Sequence, residues 1–123
     1  MNGNSLLIDT NIVLYLLDGD ETLVALLEEK QLFLSFISEL ELLTYGSLND
    51  QEISTLKRFI KDCVVVDISL DIKELCIKQR KNHQLKLPDA IIVATAQFLN
   101  IPLVSADSDF KKVKDADIIF YEK

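Results

Sequence analysis

The stretch Ser5-Leu6-Leu7-Ile8-Asp9 is a continuous apolar run that ends in an acid. Runs of this length without polar alternation are typical of strands that are buried on both faces, as in a parallel sheet. Outward from it, further strand-like runs lie at 32–36, 63–68, 102–105 and 117–121. Helical spacing between them predicts βαβ units. We therefore predict an α/β fold, a Rossmann-like three-layer α/β/α sandwich around a mainly parallel sheet of about five strands.

The segments between these strands carry apolar residues at helical spacing. The last of them is almost wholly apolar, which predicts a buried helix, and it opens with Leu87-Pro88-Asp89. Proline and an acid in the first turn are ordinary helix-start chemistry. The predicted helices span residues 12–17, 23–27, 37–45, 50–61, 70–83 and 90–99.

Length and composition predict one globular domain over residues 1–123, with 49% apolar and 27% charged residues. No apolar run approaches the roughly 18 residues that a membrane span needs. The first four residues carry no base, which argues against a signal peptide and predicts a cytoplasmic protein without a membrane partner. Cys63 and Cys76 are too few for a disulfide scaffold and are expected to be reduced thiols.

Charge is unevenly distributed along the chain, whose net charge is −7. Residues 1–56 hold ten acids and one base, whereas residues 57–123 hold ten acids and twelve bases. A uniformly acidic surface would repel nucleic acid. The uneven distribution keeps a polyanionic partner open and suggests that some acids are grouped for a purpose other than solubility.

Acidic residues follow or flank the predicted strands, where open parallel sheets bind their ligands. Clustered carboxylates repel one another unless a divalent cation neutralises them, and oxygen-only ligands suit Mg²⁺ or Mn²⁺. The absence of a His/Cys ligand cluster argues against zinc. The residues concerned are Asp9, Glu39, Glu41, Asp89, Asp107 and Asp109.

Each of these acids also has a purely structural interpretation. Asp9 and Asn11 could cap the helix that follows them. Asp89 could interact only with a helix dipole. Glu39 and Glu41 could belong to a solvated face, and residues 107–109 could form a capped turn. The combination is more specific than any single member.

Four segments in order along the chain resemble the motifs of the PIN domain family, and specifically of its VapC-type ribonuclease toxins. They are residues 7–11 (Leu-Ile-Asp-Thr-Asn), 35–43 (Ser-Phe-Ile-Ser-Glu-Leu-Glu-Leu-Leu), 87–96 (Leu-Pro-Asp-Ala-Ile-Ile-Val-Ala-Thr-Ala) and 103–110 (Leu-Val-Ser-Ala-Asp-Ser-Asp-Phe). The resemblance implies a PIN-like fold and Mg²⁺- or Mn²⁺-dependent endoribonuclease activity. It also implies a homodimer and, as a partner, a neutralising antitoxin protein.

The resemblance also implies roles for individual residues. The acidic quartet of the family is matched by Asp9, Glu41, Asp89 and Asp107, and a frequent additional acid by Asp109. Polar positions that hold the carboxylates by hydrogen bonds are matched by Thr10, Asn11 and Ser105. Glu39 falls where many relatives carry a non-acid, so its role stays open.

Bases close to the third motif are candidate RNA contacts. They are Lys78, Arg80, Lys81 and Lys86, and a second candidate group is Lys111, Lys112 and Lys114. A solvated helix face is the alternative interpretation. His83 is expected to be a surface residue rather than a catalytic base.

Two other functions fit parts of the pattern. A PIN scaffold could be catalytically silent and act only as a nucleic-acid or protein binding module. A receiver-like signalling domain would use Asp67, which follows the valine-rich strand, as its phospho-acceptor. Against a receiver, no pair of acids follows the first strand.

Overall fold

The computed structural model describes residues 3–123. Met1 and Asn2, on which part of the expectation about the amino terminus rests, lie outside the described residues. Strands and helices alternate as the sequence predicts. In chain order they are β1 (Ser5–Ile8), α1 (Thr10–Leu17), α2 (Glu21–Leu27), β2 (Gln31–Ser35), α3 (Phe36–Leu43), α4 (Asp50–Asp62), β3 (Val64–Val66), α5 (Leu70–His83), α6 (Leu87–Leu99), β4 (Leu103–Ser105), a 3₁₀ helix (Ser108–Lys112) and β5 (Ile118–Phe120).

The five strands of the described residues form one sheet in the order β3-β2-β1-β4-β5, and every neighbouring pair is parallel. β1 is central, so Leu7 lies opposite both Phe33 of β2 and Leu103 of β4. The chain first adds strands on one side of β1 and then returns to add β4 on the other side. The topological switch point, where such sheets bind ligands, therefore lies between β1 and β4.

Each face of the sheet has its own hydrophobic core, which confirms the predicted three-layer sandwich. Leu6 and Ile8 of β1 point into a core closed by α1, α2 and α4, while Leu7 points into a core closed by α5 and α6. Leu7 and Ile8 are fully buried. Truncating a buried leucine such as Leu7 to alanine costs about 2–5 kcal/mol. Packing of this strength holds β1 in place and thereby positions the residue that follows its carboxyl end.

Several element ends differ from the sequence prediction. Phe36 was predicted to end the second strand, but it begins α3 because the Ser35 hydroxyl caps that helix and accepts a hydrogen bond from the Ile37 N–H at 3.3 Å. The third strand was predicted over 63–68 and is only Val64–Val66, since this edge strand pairs with β2 alone. The helix predicted over 37–45 ends at Leu43, and the strand predicted over 117–121 is Ile118–Phe120.

Two smaller expectations can be compared with the described residues. Both cysteines are free thiols, and burial raises the pKa of the Cys63 thiol to about 11. None of the helices formed by residues 3–123 is long and apolar enough to span a bilayer.

Candidate active site

An open pocket of about 260 Å³ is lined by residues that follow β1 and β4 and by residues of α3 and α6. Four carboxylates line it, one from each of the four segments singled out in the sequence: Asp9, Glu41, Asp89 and Asp107. The pocket thus lies at the topological switch point of the sheet, where the fold predicts a ligand.

Asp9 is held from both sides. Its Oδ1 accepts a hydrogen bond from the Ile12 N–H at 3.1 Å and so caps α1, while its Oδ2 accepts one from the Ser105 hydroxyl. Asp9 is only 4% exposed, and burial raises the pKa of its carboxyl, partly offset by these hydrogen bonds. The helix cap and the pocket acid are therefore the same residue, and the two interpretations of Asp9 are compatible.

Ser105, the fully buried last residue of β4, connects two of the acids. Its hydroxyl donates to Asp9 and accepts a hydrogen bond from the Asp107 N–H at 3.0 Å. Asp107 in turn caps the 3₁₀ helix, because its Oδ1 accepts from the Asp109 N–H at 2.9 Å. The capped turn at 107–109, which was the structural interpretation of these residues, is present, and of its two acids Asp107 lines the pocket while Asp109 does not.

Glu41 is tied to the first motif by Thr10, whose hydroxyl donates to Glu41 Oε1 at 2.7 Å. Asn11 lines the same pocket. Glu39 lies two residues before Glu41 on α3 and is not among the residues that line the pocket. Since residues two apart on a helix do not share a face, the geometry brings Glu41 and not Glu39 to the other acids.

Asp89 lies in the first turn of α6 and is close to two other acids. Three carboxylate oxygens lie within 4.8 Å of one another, one each from Asp89, Asp107 and Asp109. Burial, followed by the charges of Asp107 and Asp109, raises the pKa of Asp89 to about 6, while Lys86 acts in the opposite direction. The acids therefore repel one another in the absence of a counter-charge.

The donor set of the pocket fits a hard divalent cation. Its possible ligands are carboxylate, hydroxyl and amide oxygens, the rest of the lining is Lys86, Pro88 and Ile92, and neither cysteine nor histidine lines it. Oxygen ligands of this kind suit Mg²⁺ or Mn²⁺ and do not suit a structural zinc. The mutual repulsion seen at Asp89 is the electrostatic condition that such a cation would relieve.

The predicted basic contacts are in different places. Lys86 lines the pocket, whereas Lys78, Arg80 and Lys81 are exposed on α5. Lys112, from the second candidate group, donates from its Nζ to the Gln84 carbonyl oxygen at 3.4 Å. Sequence reasoning treated the two basic groups as alternatives and missed this contact, because residues 84 and 112 are brought together only by the tertiary fold.

His83 is partly buried and pairs with Gln79, since its Nδ1 lies 2.8 Å from Gln79 Oε1. Gln79 in turn donates to Asp115 Oδ1 at 2.9 Å. His83 does not line the acidic pocket. This network ties α5 to the segment before β5.

The receiver-like alternative does not fit this sheet. Receivers have the strand order 2-1-3-4-5, which places the third strand at the centre. Here β3 is an edge strand, and Asp67 beyond it is exposed and accepts a hydrogen bond from the Ile68 N–H at 2.8 Å. Asp67 therefore lies two strands away from the Asp9 strand end and cannot join its acids in one phospho-acceptor site.

Fold and pocket together define the class of protein: a parallel α/β domain with a carboxylate pocket at its switch point. The family model of the PIN domain matches residues 6–116. The chain belongs to the PIN domain family. A search of curated proteins gives no significant match in sequence.

Solved structures support the same assignment. The chain is similar to one from a toxin–antitoxin complex of Klebsiella pneumoniae, at 30% identity and a TM-score of 0.83, with 96% of this chain and 99% of that chain covered. It shares its fold with a chain of VapBC2 from Rickettsia felis bound to a promoter DNA fragment, at 19% identity and a TM-score of 0.84, with coverage of 96% and 99%. It also shares its fold with a chain of VapBC-1 from nontypeable Haemophilus influenzae, at 23% identity and a TM-score of 0.79, with 94% of this chain and 97% of that chain covered.

Proposed function

We propose that this chain is a VapC-like toxin, a metal-dependent endoribonuclease that hydrolyses RNA phosphodiester bonds with Mg²⁺ or Mn²⁺ as cofactor. The observation that carries the proposal is the convergence of four acids from four separate segments on one pocket at the switch point. Membership of the PIN family supports a nuclease, and the relative from a toxin–antitoxin complex supports the toxin class.

The cation would be held by Asp9, Glu41, Asp89 and Asp107, with Asp109 beside them. A divalent cation held there would supply Lewis-acid activation of water and charge neutralisation at the phosphate. Ser105 and Thr10 hold the carboxylates of Asp9 and Glu41 in fixed orientations by donating hydrogen bonds. Asn11, on the pocket wall, would orient the bound groups. No side-chain nucleophile is required.

The substrate and the protein partners belong to the same proposal. The exposed bases Lys78, Arg80, Lys81 and Lys86 would contact RNA phosphates. We further propose that the chain is neutralised by an antitoxin protein, by analogy with the similar chain from a toxin–antitoxin complex. We also propose that it forms a homodimer, as its resemblance to the VapC-type toxins implies. The molar mass in solution, measured by light scattering, tests the dimer.

The activity can be tested with purified protein and single-stranded RNA. We expect fragments in Mn²⁺ or Mg²⁺, no fragments in EDTA, and recovery of cleavage when excess metal is restored. RNA binding without cleavage under all of these conditions would instead support a catalytically silent binding module.

A further inference from the structure

Lys86 is the one positively charged residue among the described residues that line the acidic pocket. It precedes α6 as its N-terminal cap residue, three positions before Asp89. Its side chain is exposed, and it forms no ion pair with another residue of the described chain. The Lys86 charge acts on Asp89 without a direct ion pair, and its exposed ammonium can still contact an anion that approaches the pocket.

Lys112 lies at the same corner of the molecule. Its Nζ donates to the carbonyl of Gln84, two residues before Lys86, in the connection between α5 and α6. Gln84 ends α5 in the left-handed conformation, with φ of 55°. At 3.4 Å this hydrogen bond is long, and Lys112 is exposed. Lys112 can therefore give up the Gln84 carbonyl for a charged acceptor such as a phosphate oxygen at little cost.

A polyanion needs positive charge next to this pocket. A bound cation would neutralise the acids next to the phosphate whose bond is cut. The neighbouring phosphates of the RNA would still face carboxylates. Lys86 lines the pocket itself. Lys112 is linked to the edge of the pocket by its hydrogen bond to the Gln84 carbonyl. These two bases come from both candidate basic groups.

We propose that Lys86 and Lys112 form one phosphate-binding subsite at the α5–α6 connection, which holds the backbone of single-stranded RNA beside the acidic pocket. The inference rests on the proposed function and deepens it, because it fixes the side of the pocket over which the strand runs. Lys78, Arg80 and Lys81 then lie further along the path of the strand.

The test compares the Lys86→Gln/Lys112→Gln variant with Lys57→Gln/Lys61→Gln. The control removes the same two charges from exposed positions of α4, which does not line the pocket. For a short single-stranded RNA in Mn²⁺, kcat/KM is measured between about 50 and 200 mM KCl. Each lost phosphate contact lowers the slope of log affinity against log salt by roughly 0.7 for single strands.

We expect kcat/KM of the Lys86/Lys112 variant to fall roughly tenfold or more at about 50 mM KCl, mainly because KM rises. The slope of log kcat/KM against log salt concentration should become shallower by about 1.4. Calorimetry should give a Mn²⁺ affinity at least as high as that of the wild type, because the loss of the Lys86 charge beside Asp89 favours a bound cation. The Lys57/Lys61 control should match the wild type. Equal salt slopes in the wild type and the Lys86/Lys112 variant, or equal losses in both variants, would overturn the subsite.

The proposed function and the subsite fail separately. If the wild type binds RNA but does not cleave it, the nuclease proposal fails, and the same salt series read by fluorescence anisotropy still decides the subsite. If the wild type cleaves and the Lys86/Lys112 variant cleaves with the same salt dependence, only the subsite fails. If the wild type neither binds nor cleaves RNA, both are wrong.

Discussion

The Ser105 hydroxyl donates a hydrogen bond to Asp9 Oδ2, and so joins two residues that are 96 positions apart in sequence. The contact crosses from β4 to the end of β1, which are neighbours in the sheet. Because the same hydroxyl accepts from the Asp107 N–H, one buried serine fixes the relative positions of two pocket acids. Strand pairing at the switch point is therefore what assembles the site.

Replacing Ser105 with alanine should disrupt this arrangement. The change leaves the buried Asp9 Oδ2 and the partly buried Asp107 N–H without their partner, which costs about 1–3 kcal/mol. We expect urea denaturation to show that loss, and RNA cleavage to fall because Asp9 is no longer oriented. Ser108→Ala, at an exposed position three residues later, is the control and should leave both unchanged. A Ser105→Ala protein with wild-type stability would contradict the bridging role.

Asp89→Asn and Asp9→Asn should each abolish most of the activity. Both keep the size of the side chain but remove a charged oxygen from the pocket, so we expect metal-dependent RNA cleavage to fall by at least about a hundredfold. Glu39→Gln removes a charge from α3 outside the pocket and should cleave like the wild type. Wild-type rates for either aspartate variant in matched metal would show that the pocket is not the active site.

Divalent metal should stabilise the folded protein. A ligand that binds only the folded state adds roughly 2.7 kcal/mol when its concentration is 100 times its dissociation constant. Millimolar Mn²⁺ should therefore raise the melting temperature, and Asp107→Asn should weaken that rise while leaving the metal-free protein at least as stable. The measurement is a thermal melt across a Mn²⁺ titration. A flat titration would count against a metal site.

Metal-free protein should become more stable on mild acidification. The pKa of Asp89 is raised from 3.8 to about 6, so between these values the folded state binds more protons than the unfolded state. The free energy of unfolding should then increase as pH falls from 7 through 6 towards 4. Denaturation in EDTA at several pH values measures this.

Asp89→Asn provides the comparison for this pH series. Asparagine resembles the protonated acid, so the variant should be more stable than the wild type at pH 7 and should gain less on acidification. Carboxylates that do not interact with Asp89 titrate alike in both proteins and cancel in the difference. Parallel pH profiles for the two proteins would disprove the raised pKa.

Much of the fold could be predicted from the sequence because it follows from local patterns, and the fold in turn indicates which acids meet. The apolar run before Asp9 predicts a buried parallel strand, and the rule for strand ends then groups the acids. The apolar pattern did not show where the second strand ends, because an apolar Phe36 fits either a strand or a helix. The hydrogen bond to the Ser35 hydroxyl starts the helix at Phe36. The sequence pattern also could not pair Lys112 with Gln84, which only tertiary packing brings together.

The central claim is that acids from four distant segments form one divalent-cation site, and anomalous diffraction from crystals soaked in Mn²⁺ tests it most directly. We expect an anomalous peak in the pocket between Asp9, Glu41, Asp89 and Asp107, which disappears in Asp89→Asn crystals treated in the same way. No peak in this pocket at saturating Mn²⁺, or a peak that persists unchanged in the variant, would contradict it.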